Sequence, residues 1–105
     1  MDDSEKEKAL HNMQIMEHSL QQILLQKQAF QMELREVQSA LKELDKSGEE
    51  VFKIIGQLMI KTDKKTMKEE LSNKEKIIEL RIKSFEKQEN VLSEKLETLQ
   101  ALILK

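Results

Sequence analysis

The sequence predicts a mainly α protein: a long antiparallel two-helix coiled coil with one β-hairpin between the helices. Three observations predict it. The 105-residue chain has no proline and only two glycines, too few turn formers for a many-stranded sandwich or barrel within one chain. Apolar residues recur every seven positions over two long stretches. Between these stretches lies a short segment of β-branched and apolar side chains around a single glycine.

The first stretch covers residues 5–46 and contains no helix breaker. Met13, Leu20, Leu34 and Leu41 form one heptad series, interrupted by Lys27. Met16, Ile23, Phe30, Val37 and Leu44 form a second, offset by three. These are the a and d positions of a coiled coil. Asp45, Ser47 and Gly48 are expected to end this helix. The second stretch covers residues 66–105. Leu71, Ile78, Phe85, Leu92 and Leu99 are seven apart. Ile82, Leu96 and Ile103 belong to the partner series, with Glu75 and Glu89 as its polar members. Thr66 and Glu69 have the spacing of a capping box, which would start the helix at Thr66. Lys27, Glu75 and Glu89 are polar seam residues, a type that fixes register at some cost in stability.

Each helix would be ~60 Å long at ~1.5 Å per residue, and neither is stable alone with its seam in water. Similar lengths and a short connection predict that they fold back on each other. Leu44 should then lie near Met67, and Met13 near Leu99. Charge favours the same pairing. Residues 1–50 carry eleven acidic and six basic side chains, and residues 51–105 carry nine and twelve, within a total of −2.

The connecting segment, residues 51–62, reads as two short strands turning at Gly56-Gln57, with a single bent strand and a glycine bulge as the alternative. Period-two counting puts Phe52, Ile54, Leu58 and Ile60 on one face. A lone hairpin is marginal in water, and its edges present unpaired backbone groups. Two solutions follow. Hairpins from several chains can close a sheet or barrel through Val51, Phe52, Ile54, Ile55, Gly56, Leu58, Met59 and Ile60. Alternatively the hairpin folds against its own helix bases.

The free end of the coiled coil contains residues near 5–20 and 95–105. Leu10, Ile15, Leu102 and Leu104 fall outside the heptad series and add apolar surface there. Met13, Met16, Leu99 and Ile103 belong to the seam, and the two methionines offer flexible side chains that repack against varied partners. Exposed apolar surface marks an interaction site; the same residues could also simply complete the seam or fray. Leu24, Leu25 and Met32 form a smaller off-seam group, of a kind common on protein surfaces.

Other chemistries are disfavoured. With no cysteine there is no disulfide framework or thiolate metal site. His11 and His18 lie two turns apart, too far for a shared ion, and opposite the seam. No phosphate-binding loop is present, and two rods offer no pocket for a catalytic constellation. No metal, cofactor or catalytic residue is therefore expected. A net charge of −2 is not a nucleic-acid footprint, and no apolar run reaches the ~20 residues of a membrane span. The acidic N-terminal stretch lacks the apolar core of a secretory signal.

The segment Val51-Phe52-Lys53-Ile54-Ile55-Gly56-Gln57-Leu58-Met59-Ile60-Lys61-Thr62 resembles the prefoldin family pattern V-Y/F-K-x-V/I-G-x-L-x-V/I-K. Gln26-Lys27-Gln28 in the first helix, and Glu86-Lys87-Gln88-Glu89, Leu92 and Glu94-Lys95-Leu96 in the second, are similar to that family as well. One hairpin rather than two resembles the β class, and the wording of Leu58–Thr62 is closer to the archaeal type. The resemblance implies a single domain over residues 1–105 and a cytoplasmic hexamer of two α-class and four β-class subunits, whose hairpins build a β-barrel body. It implies an ATP-independent holdase, not an enzyme, that captures unfolded polypeptide at its coiled-coil tips and passes it to a group II chaperonin. The competing reading is a structural adaptor whose coiled coil binds one partner helix. Such an adaptor has no use for the hairpin.

Overall fold

A computed structural model describes residues 2–104. The order of elements is α1 (Asp3–Lys46), β1 (Glu50–Ile55), β2 (Leu58–Asp63) and α2 (Lys64–Ile103). Two compact units are distinguished. A distal unit contains the beginning of α1 and the end of α2 (residues 1–29 and 82–105), and a basal unit contains residues 30–81 with the hairpin.

In the basal unit the helices run antiparallel. Lys68 pairs with Asp45 at 3.4 Å and Lys74 with Glu33 at 3.4 Å. The Arg81 guanidinium stands 5.6 Å from the centre of the Phe30 ring. Both ion pairs join an acidic residue of α1 to a lysine of α2, as the charge imbalance requires. Leu44 and Met67 line one furrow, together with Ala40 and Leu71. Val37 and Ile78, at 4% and 3% exposure, are the most buried side chains of the unit.

In the distal unit Ala9, Ile82 and Leu96 are buried, and Met13, Met16, Leu20, Ile23, Phe85, Leu92 and Leu99 are half-buried. Ala9 extends the Met16 series by one heptad towards the N-terminus. Lys27 and Glu89, two of the three polar seam residues, meet at 2.7 Å. Among the described residues no side chain is fully enclosed. That is the expected limit for a two-helix seam, where each knob is covered from one side only.

The helix boundaries differ from those read in the sequence, for local reasons. α1 begins at Asp3 because Asp2 caps it: the Glu5 amide donates to Asp2 Oδ1 at 2.8 Å. Asp3 and Glu5 then sit at the positive end of the helix dipole. At the other end the Ser47 hydroxyl donates to the Leu44 carbonyl at 2.8 Å, and Lys64 Nζ donates to the Ser47 carbonyl at 3.2 Å. Gly48 has no left-handed backbone and open space where a Cβ would stand, so the helix stops on Ser47 and Lys64 rather than on a glycine cap.

α2 starts at Lys64, two residues before the expected Thr66. Its cap is Asp63, the last residue of β2. The Thr66 amide donates to Asp63 Oδ2 at 3.0 Å, and the Thr66 hydroxyl donates to Asp63 Oδ1 at 2.6 Å. Thr66 is thus the third residue of the helix, answering the cap instead of forming it. Strand and helix abut without a loop.

The strands pair antiparallel from Glu50↔Asp63 to Ile55↔Leu58, which leaves Gly56-Gln57 as a two-residue loop. Gly56 has φ +59°, and among the described residues it alone has positive φ. Positive φ at the first loop position only is the type II′ pattern, which suits a tight hairpin and favours glycine there. The register overturns the expected face. Residues directly opposite each other share a face, so Phe52 and Ile54 stand with Met59 and Lys61. Val51, Lys53 and Ile55 stand with Leu58, Ile60 and Thr62. A two-residue loop pairs odd positions with even ones, and simple period-two counting through the turn cannot see that exchange.

Candidate functional site

Two surfaces carry large apolar side chains in water, one in each unit. The first is the hairpin. Ile54 is 71% exposed, and Leu58 and Met59 are each 67% exposed. Phe52, Ile55 and Ile60 are exposed too, whereas Val51 is half-buried in the furrow with Leu44 and Leu71. Both faces are therefore apolar near the turn: Phe52, Ile54 and Met59 on one, Ile55, Leu58 and Ile60 on the other. An antiparallel strand with one wet face would alternate apolar and polar side chains; apolar side chains on both faces belong to a strand covered on both. Charge is confined to the root. Lys61 pairs with Glu50 at 2.8 Å, and Lys53 reaches Glu70 of α2 at 3.3 Å. The chain thus fastens the hairpin base to its helices and leaves its tip apolar and uncovered.

The second surface is the end of the distal unit. Leu10, Ile15, Leu102 and Leu104 are exposed, Leu104 to 86%. Met13, Met16, Leu99 and Ile103 are half-buried along the seam. Met16 and Leu99 line an open furrow with Val91, and Glu94 and Lys95 form its rim. Val91 was not singled out in the sequence. It lies off both heptad series, the same signal that marks Leu10 and Ile15.

The remaining off-seam group divides. Leu25 and Met32 are exposed, but Leu24 is half-buried, since its position flanks the seam. Ile77 and Leu80 of α2 are exposed in the basal unit and were also missed, although both lie outside the seam series. His11 and His18 are exposed. Among the described residues no group of three or more His, Cys, Asp or Glu could hold a metal ion. No helix there is long and apolar enough to cross a membrane. The titration of Asp63 belongs to the fold rather than to either surface: hydrogen bonds from the Thr66 hydroxyl and amide hold its carboxyl below the usual carboxylate value.

Comparison with known proteins bears on the family and the fold. A family model described as prefoldin subunit matches residues 7–104. Prefoldin subunit beta of Sulfurisphaera tokodaii is 42% identical over 93 residues, covering 87% of this chain and 74% of the relative. Prefoldin subunit beta of Thermococcus onnurineus is 41% identical over 85 residues, covering 79% and 73%. The fold matches the crystal structure of the prefoldin beta subunit from Thermococcus strain KS-1 with a TM-score of 0.88 and 35% identity, over 94% of this chain and 89% of that one. Two long helices that carry a single two-stranded hairpin between them, together with these likenesses across nearly the whole chain, establish that the chain belongs to the prefoldin family of chaperones, in its β class.

Proposed function

We propose that this chain is one subunit of an ATP-independent holdase in which the hairpin builds the body and the helix ends capture unfolded polypeptide. The observation that carries the reading is the exposure of large apolar side chains at those two places, with no cap over them among the described residues. On this reading the whole chain, residues 1–105, acts as a single domain. Its hairpin adds to hairpins of neighbouring subunits, so that edge and faces are satisfied together. The assembly is a hexamer of two α-class and four β-class chains, working in the cytoplasm.

Capture needs no nucleotide. Covering one leucine stabilises a complex by ~1.5–3 kcal/mol, too little for useful affinity at a single tip once ordering of the client is subtracted. Several arms holding one client raise the effective concentration and convert weak contacts into a stable but reversible complex. Reversibility allows the client to be passed on to a group II chaperonin. Leu10, Ile15, Leu102 and Leu104 supply the exposed contact; Met13, Met16, Leu99 and Ile103 back it from the seam.

The test is the triple variant Leu10→Ser, Leu102→Ser and Leu104→Ser in the assembled complex. Mass and helicity should be unchanged, while suppression of aggregation of an unfolded client, without nucleotide, should fall several-fold. Full protection by this variant would remove the helix ends from the capture surface.

A further inference from the structure

We infer that the tip selects apolar client segments flanked by lysine or arginine; this rests on the helix ends being the capture surface and names the substrate class that they favour. The apolar anchors stand among carboxylates. Residues 2–20 and 90–104 contain seven acidic side chains and three lysines. On α1, Asp3 and Glu17 lie seven residues before and after Leu10, and Glu7 lies three before it. At ~3.6 residues per turn these positions share one face, ~10 Å to either side of the leucine. On α2, Glu97 lies seven residues before Leu104, on the same face as Glu94. Asp3, Glu7, Glu17, Glu94 and Glu97 are all exposed. Among the described residues none of them forms an ion pair.

Helix stability explains only part of this charge. Asp2 caps α1, and Asp3 and Glu5 favour its N-terminal dipole. Glu17 lies several turns in. Glu94 and Glu97 lie near the C-terminal end of α2, where the dipole disfavours anions and where no basic residue occupies the last turn. Lys8 and Lys95 lie seven residues before Ile15 and Leu102 respectively, and Lys6 lies one turn before Leu10, so the Leu10 face holds one lysine against Asp3, Glu7 and Glu17 and keeps a net negative setting. The occupant follows from charge complementarity. A partner that buries an apolar side chain on Leu10 brings its neighbouring residues over carboxylates ~10 Å away. An extended chain covers that distance in about three residues at ~3.3 Å each. The favoured segment therefore has an apolar residue with lysine or arginine about three positions to either side, and acidic flanks are rejected by like charge.

Three fluorescent peptides test the inference against the assembled complex at low salt. Each has the same apolar centre, flanked by lysine, glutamine or glutamate. The lysine-flanked peptide should bind ~3–10-fold tighter than the glutamine-flanked one, a scale set by two or three exposed charge contacts, and the glutamate-flanked peptide should bind weakest. Raising salt to several hundred millimolar should shrink the ratio towards one. The variant Glu7→Gln, Glu17→Gln and Glu97→Gln should lose the preference and keep its affinity for the glutamine-flanked peptide. Leu10→Ser with Leu104→Ser should weaken all three peptides and leave their ratio intact. Equal binding of the three peptides, or a preference that survives the glutamine variant, overturns the selectivity while leaving capture standing. Failure of every peptide to bind overturns capture as well. Tip-to-tip association of complexes in place of peptide binding would assign the surface to a second copy and also overturns the inference.

Discussion

The Lys27–Glu89 pair is predicted to set the register of the distal arm. It replaces one apolar layer of the seam, with the charged groups 2.7 Å apart and side chains only 18% and 27% exposed. A slip of one heptad would bring Lys27 against Ile82 or Leu96 and Glu89 against Leu20 or Leu34, leaving each charge without its partner. The magnitude lies between two limits. Exposed pairs couple by ~0.2–1 kcal/mol, and removing one partner of a fully buried pair costs ~3–5 kcal/mol. Solvent still reaches about a fifth to a quarter of each side chain, which puts Lys27→Leu or Glu89→Leu at ~1.5–2.5 kcal/mol each; with a double variant that costs nothing, the coupling is the sum of the two, ~3–5 kcal/mol. The double variant Lys27→Leu with Glu89→Leu should be as stable as the parent or more so, because a packed apolar pair replaces a desolvated ionic one. The assay is denaturant unfolding of all four proteins at one protomer concentration, which keeps assembly from distorting the cycle. The charge swap Lys27→Glu with Glu89→Lys should recover most of what either reversal loses. A coupling below ~0.3 kcal/mol, inside the ordinary error of additivity, would show that the pair does not specify register.

Three further predictions concern the hairpin and its exit. Ile54→Glu, on the face with Phe52 and Met59, should leave helical content intact and prevent assembly, as read by light scattering; Leu58→Glu tests the opposite face with the same expected result. Gly56→Val, forced to hold φ +59°, should destabilise the turn by ~1–2 kcal/mol and give a lower yield of complex by size-exclusion chromatography. Asp63 has a lowered folded-state value, so its contribution is complete above the ordinary carboxyl value, near 3.8, and is lost as pH falls through the lowered one. Asp63→Asn, a cap that does not titrate, should remove the acid sensitivity of amide exchange at Thr66, and Asp63→Ala should speed that exchange at every pH.

Much of the fold is written in the sequence because its two periods are long. Heptad series of five residues average out single exceptions, so Leu44 meets the furrow with Met67 as expected, and even Lys27 and Glu89, read separately as seam breaks, have positions that bring them together. The hairpin was visible from its β-branched run and Gly56. Its faces were not, although the Gly56-Gln57 turn was legible: period-two counting runs straight through a two-residue loop, which pairs odd positions with even ones. The start of α2 was misplaced for a related reason. Thr66 and Glu69 imitate a capping box, while the carboxylate of Asp63, at the end of a strand, competes for the same amide and wins it. Candidate site residues off the seam were legible only when looked for: Leu10 and Leu104 stood out near chain ends, whereas Val91, Ile77 and Leu80 carry the same signal mid-helix.

The division of labour between hairpin and helix ends is tested most directly by site-specific photocrosslinking in the assembled complex. A photoreactive side chain is placed at Leu104 in one preparation and at Leu58 in another, and an unfolded client is added without nucleotide. Leu104 should crosslink to client, and Leu58 should crosslink to neighbouring subunits with or without client present. Client captured at Leu58 and absent from Leu104 would contradict the assignment of the body to the hairpin and of capture to the tips.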